Sequence, residues 1–233
     1  MSLPNTIAVD GPAGSGKSTV AFAVSQRIDY LFVDTGAFYR AITLLAIERQ
    51  LNFDDPQQIA QLAQKTRLDM TPDSGDDQRQ YTLLADGEDI TLKIHSPLVD
   101  SKVSVVAANP AVRDALMDVQ RMVAQRGKAI LAGRDIGTVV LPDADLKVYI
   151  DASLDIRAER RYQQRIDNGE TANLDAIREA MRARDEYDSS RKAAPLQQAS
   201  DAVYLDTTTL TLEESIEALY QIIKQHHSIQ TEG

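Results

Sequence analysis

Gly11-Pro12-Ala13-Gly14-Ser15-Gly16-Lys17-Ser18 is the stretch on which the reading of this 233-residue chain turns. It fits the pattern of a glycine, four residues, then Gly-Lys-Ser, and it stands between the apolar run Thr6-Ile7-Ala8-Val9-Asp10 and a helical pattern. A strand that gives way to a helix through such a loop is the setting the motif requires. Glycines admit positive φ and carry no side chain to hold a phosphate away, so successive N–H groups can turn inward on its oxygens. The helix beginning near Gly16 adds free N–H groups and its positive dipole end, Lys17 a mobile charge, and Ser18 a hydroxyl for a magnesium ion. The loop marks a site for a nucleoside triphosphate. It leaves open what becomes of the phosphate.

Outward from the loop, Val20, Val24 and Ile28 put an apolar stripe on the following helix, which predicts packing on a sheet. Tyr30-Leu31-Phe32-Val33, Ala129-Ile130-Leu131-Ala132-Gly133, Leu146-Lys147-Val148-Tyr149-Ile150-Asp151 and Ala202-Val203-Tyr204-Leu205-Asp206 read as four more strands separated by helical patterns. The fold class is therefore α/β: a P-loop NTPase-like, five-stranded parallel sheet covered by helices. Ligands of such sheets bind beyond the strand C-terminal ends, where Asp10, Asp34, Gly133, Asp151 and Asp206 fall. Thr35 is expected to cap a helix running from Ala37 to Arg49. Ser96-Pro97 and Asn109-Pro110 each join an N-cap residue to a proline at the first helical position. Thr211 with Glu214 forms a capping box for a last helix reaching about His226.

Between Thr66 and Ile94 the texture changes. Arg67-Leu68-Asp69-Met70, Gln80-Tyr81-Thr82-Leu83-Leu84 and Asp89-Ile90-Thr91-Leu92-Lys93-Ile94 are short alternating segments, the last two joined by Asp86-Gly87, and they predict a small antiparallel insertion. Asp73-Ser74-Gly75-Asp76-Asp77 is expected to be its polar hairpin tip.

Composition narrows the function. The net charge is -10, which disfavours nucleic acid and anionic membrane surfaces as partners. The absence of cysteine excludes disulfides, thiolate metal sites and cysteine nucleophiles, and agrees with a reducing cytoplasm. No secretory leader precedes the loop and no apolar run is long enough to span a bilayer, so a soluble cytoplasmic protein is expected. His95, His226 and His227 have no paired partner in sequence and are taken as non-catalytic.

Arginine is the informative residue, because its planar fork of donors matches phosphate oxygens and stays charged inside a cleft. Arg40 follows the second strand, Arg134 follows the third, and a dense run extends from Arg157 to Arg191. Arg165, Arg178 and Arg182 suit a solvated helical hairpin braced by pairs with Asp155, Glu159 and Glu179. Arg160, Arg161, Arg184 and Arg191 suit a mobile lid that surrounds a transferred phosphoryl group with positive charge and excludes water.

Four stretches carry a resemblance: Asp10 through Thr19, Asp34-Thr35-Gly36-Ala37-Phe38-Tyr39-Arg40, Gly133-Arg134-Asp135-Ile136-Gly137-Thr138-Val139-Val140, and Arg184-Asp185-Glu186-Tyr187-Asp188-Ser189-Ser190-Arg191. In this order, around an insertion at 66 to 94, the chain resembles the bacterial cytidylate kinases, a family of nucleoside monophosphate kinases, along nearly its whole length. The resemblance implies transfer of the γ-phosphate of ATP to CMP or dCMP with Mg2+. It implies a core of residues 1–65, 101–150 and 192–233, a nucleoside-monophosphate-binding insertion at 66–100 and a lid at 151–191. Gly11, Pro12, Ala13, Gly14, Ser15, Gly16, Lys17, Ser18 and Thr19 would hold the triphosphate, with Ser18 on the metal. Lys17, Arg134, Arg160, Arg184 and Arg191 would be catalytic. Thr35, Arg40, Arg134 and Arg191 would hold the acceptor's phosphate and sugar, Asp188 its ribose, and Ser104, Arg113 and Asp135 its cytosine edge. Taken alone, Ser104 and Arg113 read as ordinary helix residues, and Asp135 as an N-cap or magnesium-shell residue. Asp34 is a candidate for orienting water on the magnesium ion. A monomer acting on ATP and CMP or dCMP is expected. The alternative within the enzymes is another small-molecule kinase of this fold, with UMP, dTMP or a metabolite as acceptor; a nucleotide switch is disfavoured, because no Asn-Lys-x-Asp stretch for guanine occurs.

Overall fold

Strand β1, Thr6–Asp10, runs through the centre of the molecule and delivers the chain directly to the glycine loop. The computed structural model describes residues 3–72 and 79–229, of which 227–229 through their backbone alone. The expected polar tip at Asp73 to Asp77 lies outside the described residues.

After α1 (Lys17–Ile28) come β2 (Leu31–Asp34), α2 (Thr35–Glu48) and α3 (Pro56–Lys65). The insertion holds β3 (Leu68–Thr71), β4 (Thr82–Ala85) and β5 (Glu88–Asp89). Helices α4 (Pro97–Ala108) and α5 (Pro110–Ala124) lead to β6 (Ala129–Gly133) and β7 (Leu146–Asp151). The hairpin of α6 (Leu154–Asp167) and α7 (Leu174–Ser190) precedes β8 (Val203–Asp206) and α8 (Leu212–Ile229). The large sheet has the order β2-β6-β1-β7-β8 with every pairing parallel. All five expected strands are in it. β1, β6 and β7 carry Ile7, Ala8, Val9, Ile130, Leu131 and Ile150 with no exposed surface, as strands covered on both faces must.

The chain crosses from β1 to β2 on one side and returns to β7 on the other, which makes the C-terminal end of β1 the switch point of the sheet. Asp10, Gly133 and Asp34 are brought to one edge there, and Asp151, two residues beyond the register partner of Asp10, pairs with Asp206 at the same end of the sheet.

Three local expectations change. Asp34, not Thr35, caps α2: its carboxylate accepts from Gly36 N at 3.0 Å, while the Thr35 hydroxyl donates to Ala132 O at 2.9 Å. The insertion's last strand stops at Asp89, because that carboxylate accepts from both the N–H and the hydroxyl of Thr91 and turns the chain. Helix α3 is an addition: Asp55 accepts from Gln57 N and Gln58 N, Pro56 opens the helix, and Ile59, Ala60, Leu62 and Ala63 are buried. The caps at Ser96, Asn109 and the reciprocal pair Thr211 and Glu214 are as expected.

Candidate active site

The glycine loop owes its shape to a close approach. Gly11 has φ +153° and its missing Cβ would stand 2.0 Å from Ile150 O, so no other residue fits against β7. Gly11→Ala should cost about 3 kcal/mol of stability, read as a fall in the denaturation midpoint, because the clash is with backbone and cannot rotate away. An unchanged midpoint would refute the packing of the loop on β7. Gly16, at φ 85°, is the N-cap of α1. Lys17 is buried and its ammonium donates to Pro12 O at 3.0 Å. Burial first, then the Arg134 and Arg184 guanidinium groups, hold its pKa well below the ordinary lysine value, against the pull of Asp34 and Asp10. Ser15 Oγ is buried with no hydrogen bond, and Ser18 is half-buried in the first turn of α1. An anion seated on this loop would relieve both the repelled ammonium and the idle hydroxyl. Ser18 suits a magnesium ion, which binds through few protein oxygens together with phosphate and water.

Beside the loop, Asp10 accepts from Ile136 N and Gly137 N, both at 2.8 Å. It ties the glycine loop to the wide turn Ile136–Val140, which closes with Val140 N on Asp135 O and Leu141 N on Ile136 O. Burial raises the Asp10 carboxyl to about 6, opposed by those two N–H bonds. Arg121 fastens the far side of the turn through Val139 O and Val140 O.

That turn aims the acceptor-side residues. Asp135, 5% exposed, is ion-paired to Arg113, 4% exposed, on α5. Arg113 also donates to Ala107 O at 3.2 Å and lies 5.4 Å from the Tyr39 ring centroid. Asp135 makes no side-chain cap bond to the turn, which removes the capping alternative. Arg134 donates to Asp188 Oδ2 at 3.1 Å and to Gly11 O at 3.2 Å. Arg191 lies 3.8 Å from both Asp135 and Asp188, and its Nη2 is buried without a hydrogen bond. Arg184 approaches Asp188 at 4.0 Å, its Nε likewise has no hydrogen bond, and burial lowers its pKa to about 10. It stays charged at neutral pH. Buried donors without acceptors are costly, so their gathering here describes a place built for an anion.

The structure thus brings Lys17, Arg113, Arg134, Asp135, Arg184, Asp188 and Arg191 together at the β1 switch point. Thr35 abuts it at Gly133. Arg40 pairs with Asp100 at 2.7 Å, and Ser104 shares a hollow with Asp100, Arg184 and Tyr187. Arg160 is set apart: it grips Ser15 O, Thr207 O and the Thr207 hydroxyl, joining the glycine loop to the segment after β8. Arg165 is half-buried and Arg182 exposed, near Glu170 and Glu179 respectively. Arg178 spans the hairpin, to Asp155 on α6 and Asp175 on α7. No pair of Glu159 joins them among the described residues.

Arg157, which opens the arginine run in the sequence, has no role assigned to it there. Buried in α6, it donates to Ala13 O at 3.1 Å and Ala152 O at 2.8 Å and pairs with Asp185 of α7 at 2.7 Å. With Met181, whose Cε would meet a Cβ on Gly14 at 2.6 Å, it seats the hairpin on the glycine loop. The apolar signal was there in Ala158, Ile177 and Met181, which form a small second core with Ala13 against it.

Comparison with known proteins decides the lineage. A family model described as cytidylate kinase matches residues 7–225. The chain belongs to the cytidylate kinase family. It is 43% identical over 220 residues to a cytidylate kinase from Exiguobacterium sp., covering 94% of this chain and 96% of the relative. It is 42% identical over 223 residues to one from Herpetosiphon aurantiacus, covering 96% of each. A bifunctional pantoate ligase/cytidylate kinase from Synechococcus sp. is 45% identical over 94% of this chain and 40% of that protein. Membership of the cytidylate kinase family makes the chain a phosphotransferase, carried on a five-stranded parallel sheet with a small three-stranded antiparallel one.

Proposed function

We propose that this member of the family transfers the γ-phosphate of ATP to CMP or dCMP, giving CDP or dCDP. The observation that carries the reading is the buried Arg113 and Asp135 pair joined to the Arg134, Arg184, Arg191 and Asp188 cluster, one step from the glycine loop. A carboxylate can accept from the exocyclic amine of cytosine, whereas uracil offers a carbonyl there and would leave Asp135 facing a lone pair. Thr35, Arg40, Arg134 and Arg191 hold the acceptor's phosphate and sugar, Asp188 its ribose, and Ser104 supports the base. Gly11 to Thr19 cradle the donor's phosphates.

In the reaction the acceptor phosphate is already anionic, so no general base is required and the protein's work is alignment and charge. Lys17 neutralises the outer phosphates, and Arg184 and Arg191 face the group in transit while Arg134 links it to the loop. Arg160 acts by fixing Ser15 and Thr207. A magnesium ion on Ser18, when bound, supplies further charge on the phosphate oxygens. Residues 66–100 form the acceptor-binding insertion and 151–191 a lid over the 1–65, 101–150 and 192–233 core, in a cytoplasmic monomer with neither nucleic acid nor membrane as partner. No helix among the described residues is long and apolar enough to cross a membrane.

The test is ADP release across CMP, dCMP, UMP, dTMP and AMP. The cytosine nucleotides should exceed UMP in kcat/KM by a hundred-fold or more, roughly the value of one unpaired buried group. Equal turnover on CMP and UMP would overturn the role of Asp135, and slow hydrolysis with no acceptor dependence would favour a switch.

A further inference from the structure

Asp100 stands in the first turn of α4, where three helices and their guanidinium groups converge. Its Oδ1 lies 2.7 Å from Arg40 Nη2 of α2, and its Oδ2 lies 3.5 Å from Arg161 Nη2 of α6. Arg40 is further held by donating from Nη1 to Ile94 O at 3.2 Å. Arg184 of α7 feels both neighbours, lowered by Arg40 and raised by Asp100, and it lines the same hollow as Asp100 and Ser104. An anion is therefore already present on Arg40.

We infer that Asp100 is a counter-ion that pairs with Arg40, links α4 to α6 through Arg161, and must yield Arg40 to the acceptor's phosphate. The inference rests on the proposed reading of Arg40 as an acceptor-phosphate ligand. A carboxylate and an incoming phosphate dianion compete for one guanidinium and repel each other at short range, so Asp100 restrains acceptor affinity. Its pairing also gives the half-buried Arg40 and the more exposed Arg161 a shared counter-charge. A merely structural bridge would act in the opposite sense, since losing it would loosen Arg40 and weaken acceptor binding.

The experiment compares Asp100→Asn and Asp100→Ser with the wild type, measuring KM for CMP and for ATP separately and inhibition by inorganic sulfate, a dianion that can sit on Arg40. Both variants should lower KM for CMP about five-fold and strengthen sulfate inhibition competitive with CMP, with KM for ATP unchanged. Arg40→Gln should raise KM for CMP. If Arg40→Gln behaves so while both Asp100 variants leave KM for CMP unchanged or raise it, the counter-ion role is refuted and the acceptor site stands. If Arg40→Gln leaves KM for CMP unchanged, the assignment of Arg40 itself fails.

Discussion

Replacing Lys17 with alanine is expected to lower kcat about a thousand-fold, the usual cost of removing one preorganised charge from a developing anion. Lys17 is 7% exposed, and its ammonium feels Arg134, Asp34, Arg184 and Asp10, with its pKa well below the ordinary lysine value, chiefly through burial. Burial and the neighbouring guanidinium groups thus disfavour its charged form. Its hydrogen bond to Pro12 O is a small return on that desolvation. Removing it should leave the thermal midpoint unchanged or slightly raised, because the cost of burying its charge is removed with it. Binding of the transferring phosphate reverses the balance, since several negative charges then face the ammonium across a dry loop. The loss should therefore appear in kcat more than in either KM. Kinetics within ten-fold of wild type, in a variant with an unchanged midpoint, would contradict this role.

The second large effect concerns the Arg113 and Asp135 pair. Arg113→Met leaves the Asp135 carboxylate buried, with Arg191 3.8 Å away as a remaining charge partner. Breaking a buried pair from one side costs about 3 kcal/mol of stability. The same substitution should raise KM for CMP a hundred-fold or more and leave KM for ATP within a few-fold, because the glycine loop contacts neither residue. The double variant Arg113→Met with Asp135→Leu separates fold from recognition. It should regain most of the lost stability, as two apolar side chains fill the space of the pair, and it should not regain CMP use. Calorimetry and the two KM values check each arm. An effect confined to ATP would contradict the location of the acceptor.

Much of this was legible in the sequence, for definite reasons. The glycine loop and the central strands β1, β6 and β7 announce themselves because parallel strands buried on both faces are continuous apolar runs, while the edge strand β8, with Val203 and Tyr204 exposed, was legible from its β-branched and aromatic residues. The caps at Ser96, Asn109 and Thr211 were readable for the same local reason. Thr35 misled because Asp34 stands one position earlier and is the stronger competitor for the free N–H groups of α2. The strand after Asp86-Gly87 misled because its alternation is overridden by the Asp89 carboxylate folding back on Thr91. The grouping of Arg113 with Asp135, 22 positions apart, depended on the resemblance, since spacing on α5 alone reads as a solvated face. Asp10 was legible only as a residue at the ligand edge of the sheet, and the particular partners of Arg157, Asp10 and Asp100 were not legible at all. Each acts through a partner distant in sequence, Ala13, Ile136 and Arg161 respectively, and long-range pairing leaves no periodic trace.

The most direct test of the account is a crystal structure of this protein with CMP and a non-hydrolysable ATP analogue bound together. The prediction is a cytosine ring whose exocyclic amine lies within hydrogen-bond distance of the Asp135 carboxylate, beside Arg113, with its phosphate on Arg40 and turned toward Lys17. A cytosine bound away from Ser104, Arg113 and Asp135 would contradict it.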